Sequence, residues 1–104
     1  MAAQVYRSAL ARWPGDLSLT MGLGNTLHAA GDKRAAAEVF RGAATAHRSA
    51  PAWINLSATL LDLGDARGAL EAAQRAQAIG DAVWAEPAQA TLERATRALP
   101  ARSR

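Results

Sequence analysis

The sequence predicts an all-α protein built from repeated helical hairpins, and three observations support this prediction. First, a skeleton of leucine, glycine and alanine positions occurs twice with a constant offset of 33 residues, which is typical of one repeated supersecondary unit. Its members are Leu23, Gly24, Leu27, Gly31, Ala36, Phe40 and Ala43 in one copy, and Leu56, Ser57, Leu60, Gly64, Ala69, Ala73 and Ala76 in the other. Second, an aspartate follows the turn glycine in both copies. Third, apolar residues recur at the three- and four-residue spacing of one helix face.

The first predicted helix covers about residues 1–13, where Tyr6, Leu10 and Trp13 recur at helical spacing. Pro14-Gly15 ends it, because proline disfavours helical backbone in the residue before it. The spacing of Tyr6, Ala9 and Pro14 matches the aromatic residue, alanine and proline that end the second helix in repeats of this kind. We therefore expect the chain to begin in the middle of a repeat, as a domain cut from a longer protein or with a first helix that caps the stack.

The first complete copy is predicted to form helices at about 17–30 and 34–47. Asp16 can cap the first of these helices by accepting a hydrogen bond from a free backbone N–H. Gly24 is unfavourable inside a helix by about 1 kcal/mol relative to alanine, so we expect it to allow close approach of a neighbouring helix. Gly31 is expected to end the helix in a left-handed conformation.

The second complete copy is predicted to form helices at about 51–63 and 67–79. Ser49 is the expected cap of the former, and Pro51 is tolerated in a first turn. A last helix is predicted at about 86–98, because Pro87 would interrupt any helix that began near residue 82. We expect a single domain over residues 1–99 and a frayed tail over residues 100–104.

The repeat skeleton resembles that of the tetratricopeptide repeat (TPR) family over nearly the whole chain. The unit of that family is a pair of antiparallel helices with leucine–glycine, a turn glycine, and then alanine, an aromatic residue and alanine. The chain departs from the pattern at Ser57, where the family has glycine, and at Ala73, where it has an aromatic residue. The resemblance implies a right-handed solenoid of about six antiparallel helices, with two full repeats, a preceding half-repeat and a final capping helix.

Composition and motifs argue against several classes of function. The chain has no cysteine, which excludes disulfides, thiolate metal sites and a cysteine nucleophile. No apolar run approaches the roughly 20 residues that a membrane-spanning helix needs. His28 and His47 lie on different predicted helices, and neither has another histidine three or four positions later. We therefore expect no enzyme activity, no cofactor and no metal site. The sequence assigns no compartment.

The remaining candidate site is a peptide-binding groove, because in the TPR family the first helix of each repeat lines a concave surface. The residues that this places in the groove are Met21, Asn25, His28, Ile54, Asn55, Ala58, Leu61, Asp62 and Gln89. The register also adds Gly22 and Ala88 to this surface. Asn25 and Asn55 each offer a donor and an acceptor, either to a peptide backbone or to each other across the stack; both alternatives stay open.

One known type of TPR groove does not fit this sequence. Some members of the family grip the C-terminal carboxylate of chaperones and have asparagines at the positions that match Asn25 and Asn55. They also need cations at the positions that match Met21, Ala85 and Gln89, and this chain has none there. A desolvated carboxylate without its counter-charge would be costly. We therefore expect a different peptide or helix of a partner protein.

Alternative functions stay open. The segments Ala9–Pro14 and Gly22–Asn25 resemble the tail of some envelope-associated cysteine peptidases, which implies a C-terminal accessory module of a larger bacterial protein. Nucleic-acid binding by arginines on the second helices is less favoured, because acidic residues interrupt them. The three tryptophans (Trp13, Trp53 and Trp84) are expected to pack between repeats. Self-association through the exposed ends of the stack is a further expectation.

Overall fold

Helices joined by short turns form the described part of the chain, which comprises residues 2–100 of the computed structural model. The helices are α1 (Ala2–Arg12), α2 (Leu17–Ala29), α3 (Lys33–His47), α4 (Ala50–Asp62), α5 (Ala66–Ile79) and α6 (Ala85–Ala98). This confirms the predicted all-α class. Met1 and most of the predicted frayed tail, residues 101–104, lie outside the described residues. No helix within residues 2–100 combines the length and the apolar character needed to cross a lipid bilayer.

The segment before α6 differs from the prediction. Residues Ala82–Trp84 form a short 3-10 helix, where the sequence predicted an interruption, and α6 follows directly at Ala85. The Val83 N–H donates to Asp81 Oδ1 over 3.0 Å, so an aspartate opens this turn as well. Pro87 lies in the first turn of α6, where a missing backbone N–H removes no intrahelical hydrogen bond.

Aspartate and serine side chains cap four helices at positions related by the offset of 33. The Leu19 N–H donates to Asp16 Oδ1 over 2.9 Å, and 33 residues later the Ala52 N–H donates to Ser49 Oγ over 3.2 Å. Asp32 caps α3 and Asp65 caps α5 in the same way. The repeated sequence therefore forms repeated helix starts, since each cap satisfies a backbone donor that the first turn leaves free.

The core lies where each helix packs on the next, and α6 also packs on α4. Its main cluster contains bulky residues, chiefly Leu23, Leu27, Phe40, Leu56 and Leu60, together with alanines of α3, α5 and α6. Many of these alanines are completely enclosed, so the helices approach each other through small side chains.

The predicted close approach at Gly24 is confirmed. A Cβ atom at Gly24 would lie 2.4 Å from Phe40 Cε1, and the Phe40 side chain is only 1% exposed. The phenylalanine ring therefore occupies the space that any other residue at position 24 would need.

The tryptophans divide between interior and surface. Trp53 is half-buried and packs against both clusters of core residues, and Trp84 is half-buried as well. Trp13 is 56% exposed, so the prediction that it packs between repeats is wrong. The Arg12 guanidinium lies over the Trp13 ring at 5.0 Å from its centroid, which allows the ring to remain partly in water.

Candidate functional site

Five of the nine predicted groove residues lie close together, on the facing surfaces of α2 and α4. Asn25 and His28 are on α2, and Asn55, Ala58 and Asp62 are on α4. We call these five residues, together with Ile54, the α2–α4 surface. Between the two helices lies a concavity of about 140 Å³, which is lined by Asn25, His28, Phe40, Asn55, Ala58 and Thr59.

The two asparagines are joined by a hydrogen bond across the helices. Asn55 Nδ2 donates to Asn25 Oδ1 over 3.3 Å. An asparagine amide carries one acceptor and one NH₂ donor group, so the pair still has the Asn25 NH₂ group and the Asn55 carbonyl oxygen to offer. One donor and one acceptor match the needs of a single peptide unit. The hydrogen bond between Asn25 and Asn55 therefore does not prevent the pair from binding the backbone of a peptide.

His28 and Asp62 make the second connection between α2 and α4. His28 Nε2 donates to Asp62 Oδ2 over 2.9 Å, and Lys33 Nζ lies 3.5 Å from the same oxygen. The hydrogen bond from His28 lowers the pKa of the Asp62 carboxyl below its usual value, partial desolvation opposes this, and the charge of Lys33 adds to the lowering. Asp62 is therefore a carboxylate held in place at the edge of the surface.

The apolar members differ in how much surface they offer. Met21 is half-buried and packs against both core clusters, and Leu61 is half-buried against the main cluster. Both side chains therefore contribute to the interior as well as to the surface. Ile54 is half-buried and belongs to neither set of packed residues, so it is the apolar side chain of α4 that is freest to contact a partner.

Gln89 does not join the α2–α4 surface. Gln77 Nε2 of α5 donates to Gln89 Oε1, and Gln89 Nε2 donates to Glu93 Oε1 over 3.4 Å. Gln89 thus faces α5.

Two further residues that the repeat register placed in the groove are elsewhere. Ala88 is 2% exposed and belongs to the interior. A Cβ atom at Gly22 would lie 2.3 Å from Tyr6 Cε1, so Gly22 faces α1. Both predictions are wrong, since a register alone does not fix which neighbour a helix face meets.

A larger concave feature lies on the other face of α4. Sequence reasoning assigned its arginines to the convex side, among Arg34, Arg41, Arg48, Arg67 and Arg75, but did not predict a cleft there. The feature is a cleft of about 470 Å³ between α3 and α5, and Arg41, Arg48 and Arg75 are among the residues that line it. A sequence signal existed, because Arg41 and Arg48 are seven residues apart, which is close to two helical turns. That spacing does not show that α3 and α5 line a common cleft beside α4.

The described part of the chain contains no cluster of metal-ligating side chains. Within residues 2–100, no three histidine, aspartate or glutamate side chains are close enough to hold a metal ion. His47 Nε2 donates to the Gly15 carbonyl oxygen over 2.6 Å, so His47 connects the end of α3 to the loop between α1 and α2. No protein-family model matches the chain, and no curated protein matches it.

Proposed function

We propose that this chain is a non-catalytic interaction module that binds a peptide or helix of a partner protein on the α2–α4 surface. The single observation that supports this most is the asparagine pair, which keeps one donor and one acceptor free beside the apolar residues Ile54 and Ala58. A partner backbone could use both groups while an apolar side chain of the partner packs on Ile54.

The size of the concavity supports a peptide over a small molecule. It measures about 140 Å³, whereas small-molecule pockets typically hold about 300–1,000 Å³. A shallow surface with a few directed polar groups suits a segment that contacts several residues along two helices. We further propose that the helical hairpins are tetratricopeptide-type repeats, on the strength of the skeleton repeated at an offset of 33. The role of an accessory module in a larger protein stays a prediction.

Affinity capture from a lysate of the source organism tests the proposed surface, with a variant that changes it and a control that does not. The test variant combines Ile54→Glu with Asn55→Ala, and the control combines Val83→Glu with Gln74→Ala, at exposed positions outside the α2–α4 surface. Far-UV circular dichroism establishes that both variants are helical.

We expect a partner that the wild type and the control retain and the test variant loses. The binding segment of that partner, once identified, is then titrated by calorimetry against all three proteins. Equal affinity for the test variant and the wild type would contradict the proposed surface, and so would an equal loss in the control.

A further inference from the structure

The cleft between α3 and α5 combines an apolar floor with a basic rim. Trp53 and Ile79 contribute partly exposed apolar surface, with the enclosed Leu56 and Ala72 beneath them, and Arg41, Arg48 and Arg75 add three cationic side chains. Trp53 and Leu56 project from a different face of α4 than Asn55 and Ala58, since the two sets are offset around the helix. The cleft, with a volume of about 470 Å³, is therefore separate from the α2–α4 surface.

Within residues 2–100, no carboxylate forms an ion pair with the three arginines of the cleft. The ion pairs of the described chain both involve Asp62, which is not part of the cleft. Glu71 is the one acidic residue among those that line the cleft, against three arginines. The Arg75 guanidinium lies 5.3 Å from the centroid of the Trp53 ring, and a cation–π contact of this kind orients it.

Arg48 occupies its place in the cleft at a conformational cost. Its backbone is left-handed, with φ 48° and ψ 48°, and the other residues with positive φ in the described chain are glycines. One of them, Gly15, stands 33 residues earlier, at the corresponding point of the repeat. An arginine where glycine would be unstrained is a local cost that commonly accompanies a functional role.

We propose that the cleft between α3 and α5 binds an acidic segment of a partner protein, whose carboxylates pair with Arg41, Arg48 and Arg75. An apolar side chain of that segment would pack on Trp53 and Ile79, the partly exposed apolar residues of the lining. Guanidinium groups suit carboxylates because they can donate two parallel hydrogen bonds to one of them. This surface is a second one, in addition to the proposed α2–α4 surface, and does not depend on it.

An acidic peptide fits the cleft better than a nucleic acid does. Nucleic-acid surfaces combine cations with aromatic rings on which bases stack. Here the cleft has one aromatic ring, Trp53, and the Arg75 guanidinium lies over it. The remaining apolar lining is aliphatic, so the cleft offers no second ring on which a neighbouring base could stack.

Fluorescence anisotropy with defined probes tests this proposal. The first probe is a fluorescein-labelled octapeptide, Asp-Glu-Asp-Leu-Phe-Asp-Glu-Asp. A second probe has Ser-Gly in place of Leu-Phe, a third has the matching amides in place of all carboxylates, and a fourth is a labelled single-stranded oligothymidine. The test variant is Arg48→Gly, which removes the side chain and tolerates the left-handed backbone without strain. The control is Arg34→Gln, at an exposed position of α3 that does not line the cleft.

We expect the acidic apolar peptide to bind the wild type and to bind Arg48→Gly roughly fivefold to tenfold more weakly, while Arg34→Gln changes the affinity less than about twofold. The two altered peptides should each bind more weakly than the first. Amide chemical shifts recorded during the titration should change along α3 and α5. No binding of the first peptide, equal effects of the two variants, tighter binding of the oligothymidine, or shifts confined to α2 and α4 would each overturn the proposal.

Discussion

The hairpin α2–α3 and the hairpin α4–α5 have different residues at two corresponding positions of the core. In the first hairpin, Gly24 has no side chain and the Phe40 ring fills the space beside it. In the second, the corresponding positions hold Ser57 and Ala73, both completely buried. Ser57 Oγ donates to the Ala69 carbonyl oxygen over 2.7 Å. The first hairpin therefore pairs a glycine with a phenylalanine, whereas the second has two small residues, serine and alanine, at the same positions.

The two hairpins share their turn glycines, core leucines and capping positions. The turn glycines have nearly the same left-handed backbone, with φ 90° at Gly31 and φ 83° at Gly64. The core leucines, the capping positions and the enclosed alanines also correspond. At the positions of Gly24 and Phe40, which contact each other in the first hairpin, the second hairpin differs at both members of the pair. Interiors are packed closely enough that one change requires the other.

The largest expected effect is at Gly24. Replacement by alanine should lower the free energy of unfolding by about 2 kcal/mol, because the new methyl group meets the enclosed Phe40 ring. Urea unfolding followed by far-UV circular dichroism measures this change.

Two other helical glycines serve as controls for Gly24. Gly42→Ala meets no atom within 4 Å and should raise the free energy of unfolding by up to about 1 kcal/mol. Gly22→Ala meets the Tyr6 ring, but α1 has no buried residue and can shift, so its effect should lie between the other two. A loss at Gly22 as large as that at Gly24 would contradict the distinction between a fixed ring and a movable one.

A smaller effect is expected where the two hairpins end. Helix α3 ends at Arg48 with φ 48°, whereas α5 ends at Gly80 with φ 73°. Gly80→Arg should lower the free energy of unfolding by about 1 kcal/mol, since a side chain is unfavourable in the left-handed region. Arg48→Gly should leave it unchanged or raise it by up to about 1 kcal/mol, because relief of strain exceeds or offsets the entropy of glycine. Thermal unfolding of both variants checks this, and a clear loss of stability in Arg48→Gly would show that the arginine side chain stabilises the fold.

The smallest effect is expected at Asp62, which connects the two hairpins. Its lowered pKa means that the folded state binds a proton less readily than the unfolded state, so the ionised carboxylate stabilises the fold at neutral pH. That contribution is lost as the pH falls below about 4 and through the lowered pKa. The difference in urea midpoint between wild type and Asp62→Asn should therefore be small at pH 7 and vanish in acid. A difference that persists in acid would indicate a role for Asp62 that does not depend on its charge.

The helices were predictable from the sequence because their signals are local. The spacing of leucines and alanines, the capping aspartates and the turn glycines each act within one or two helical turns, and they define the six helices. The space beside Gly24 was predictable too, since an interior glycine is costly without a close neighbour.

The parts of the candidate site that escaped prediction depend on how helices face each other. The bond between Asn25 and Asn55 was left open, because a side-chain amide suits a ligand and a neighbouring amide equally well. The contact of Gln89 with Gln77 depends on how α6 packs on α5, which no local signal in the sequence gives. The α3–α5 cleft is lined by residues of three helices, and the left-handed backbone of Arg48 at its edge has no signal in the sequence.

The relation between the two hairpins is tested most directly by a double-mutant cycle at Ser57 and Ala73. The two changes, Ser57→Gly and Ala73→Phe, give the second hairpin the residue pair of the first. Each alone should lower the free energy of unfolding by about 1–3 kcal/mol, through a lost hydrogen bond or through overpacking. If the hairpins are copies of one unit, the double variant should lose at least about 1 kcal/mol less than the two single losses together. Additivity within about 0.5 kcal/mol would contradict the equivalence of the two hairpins.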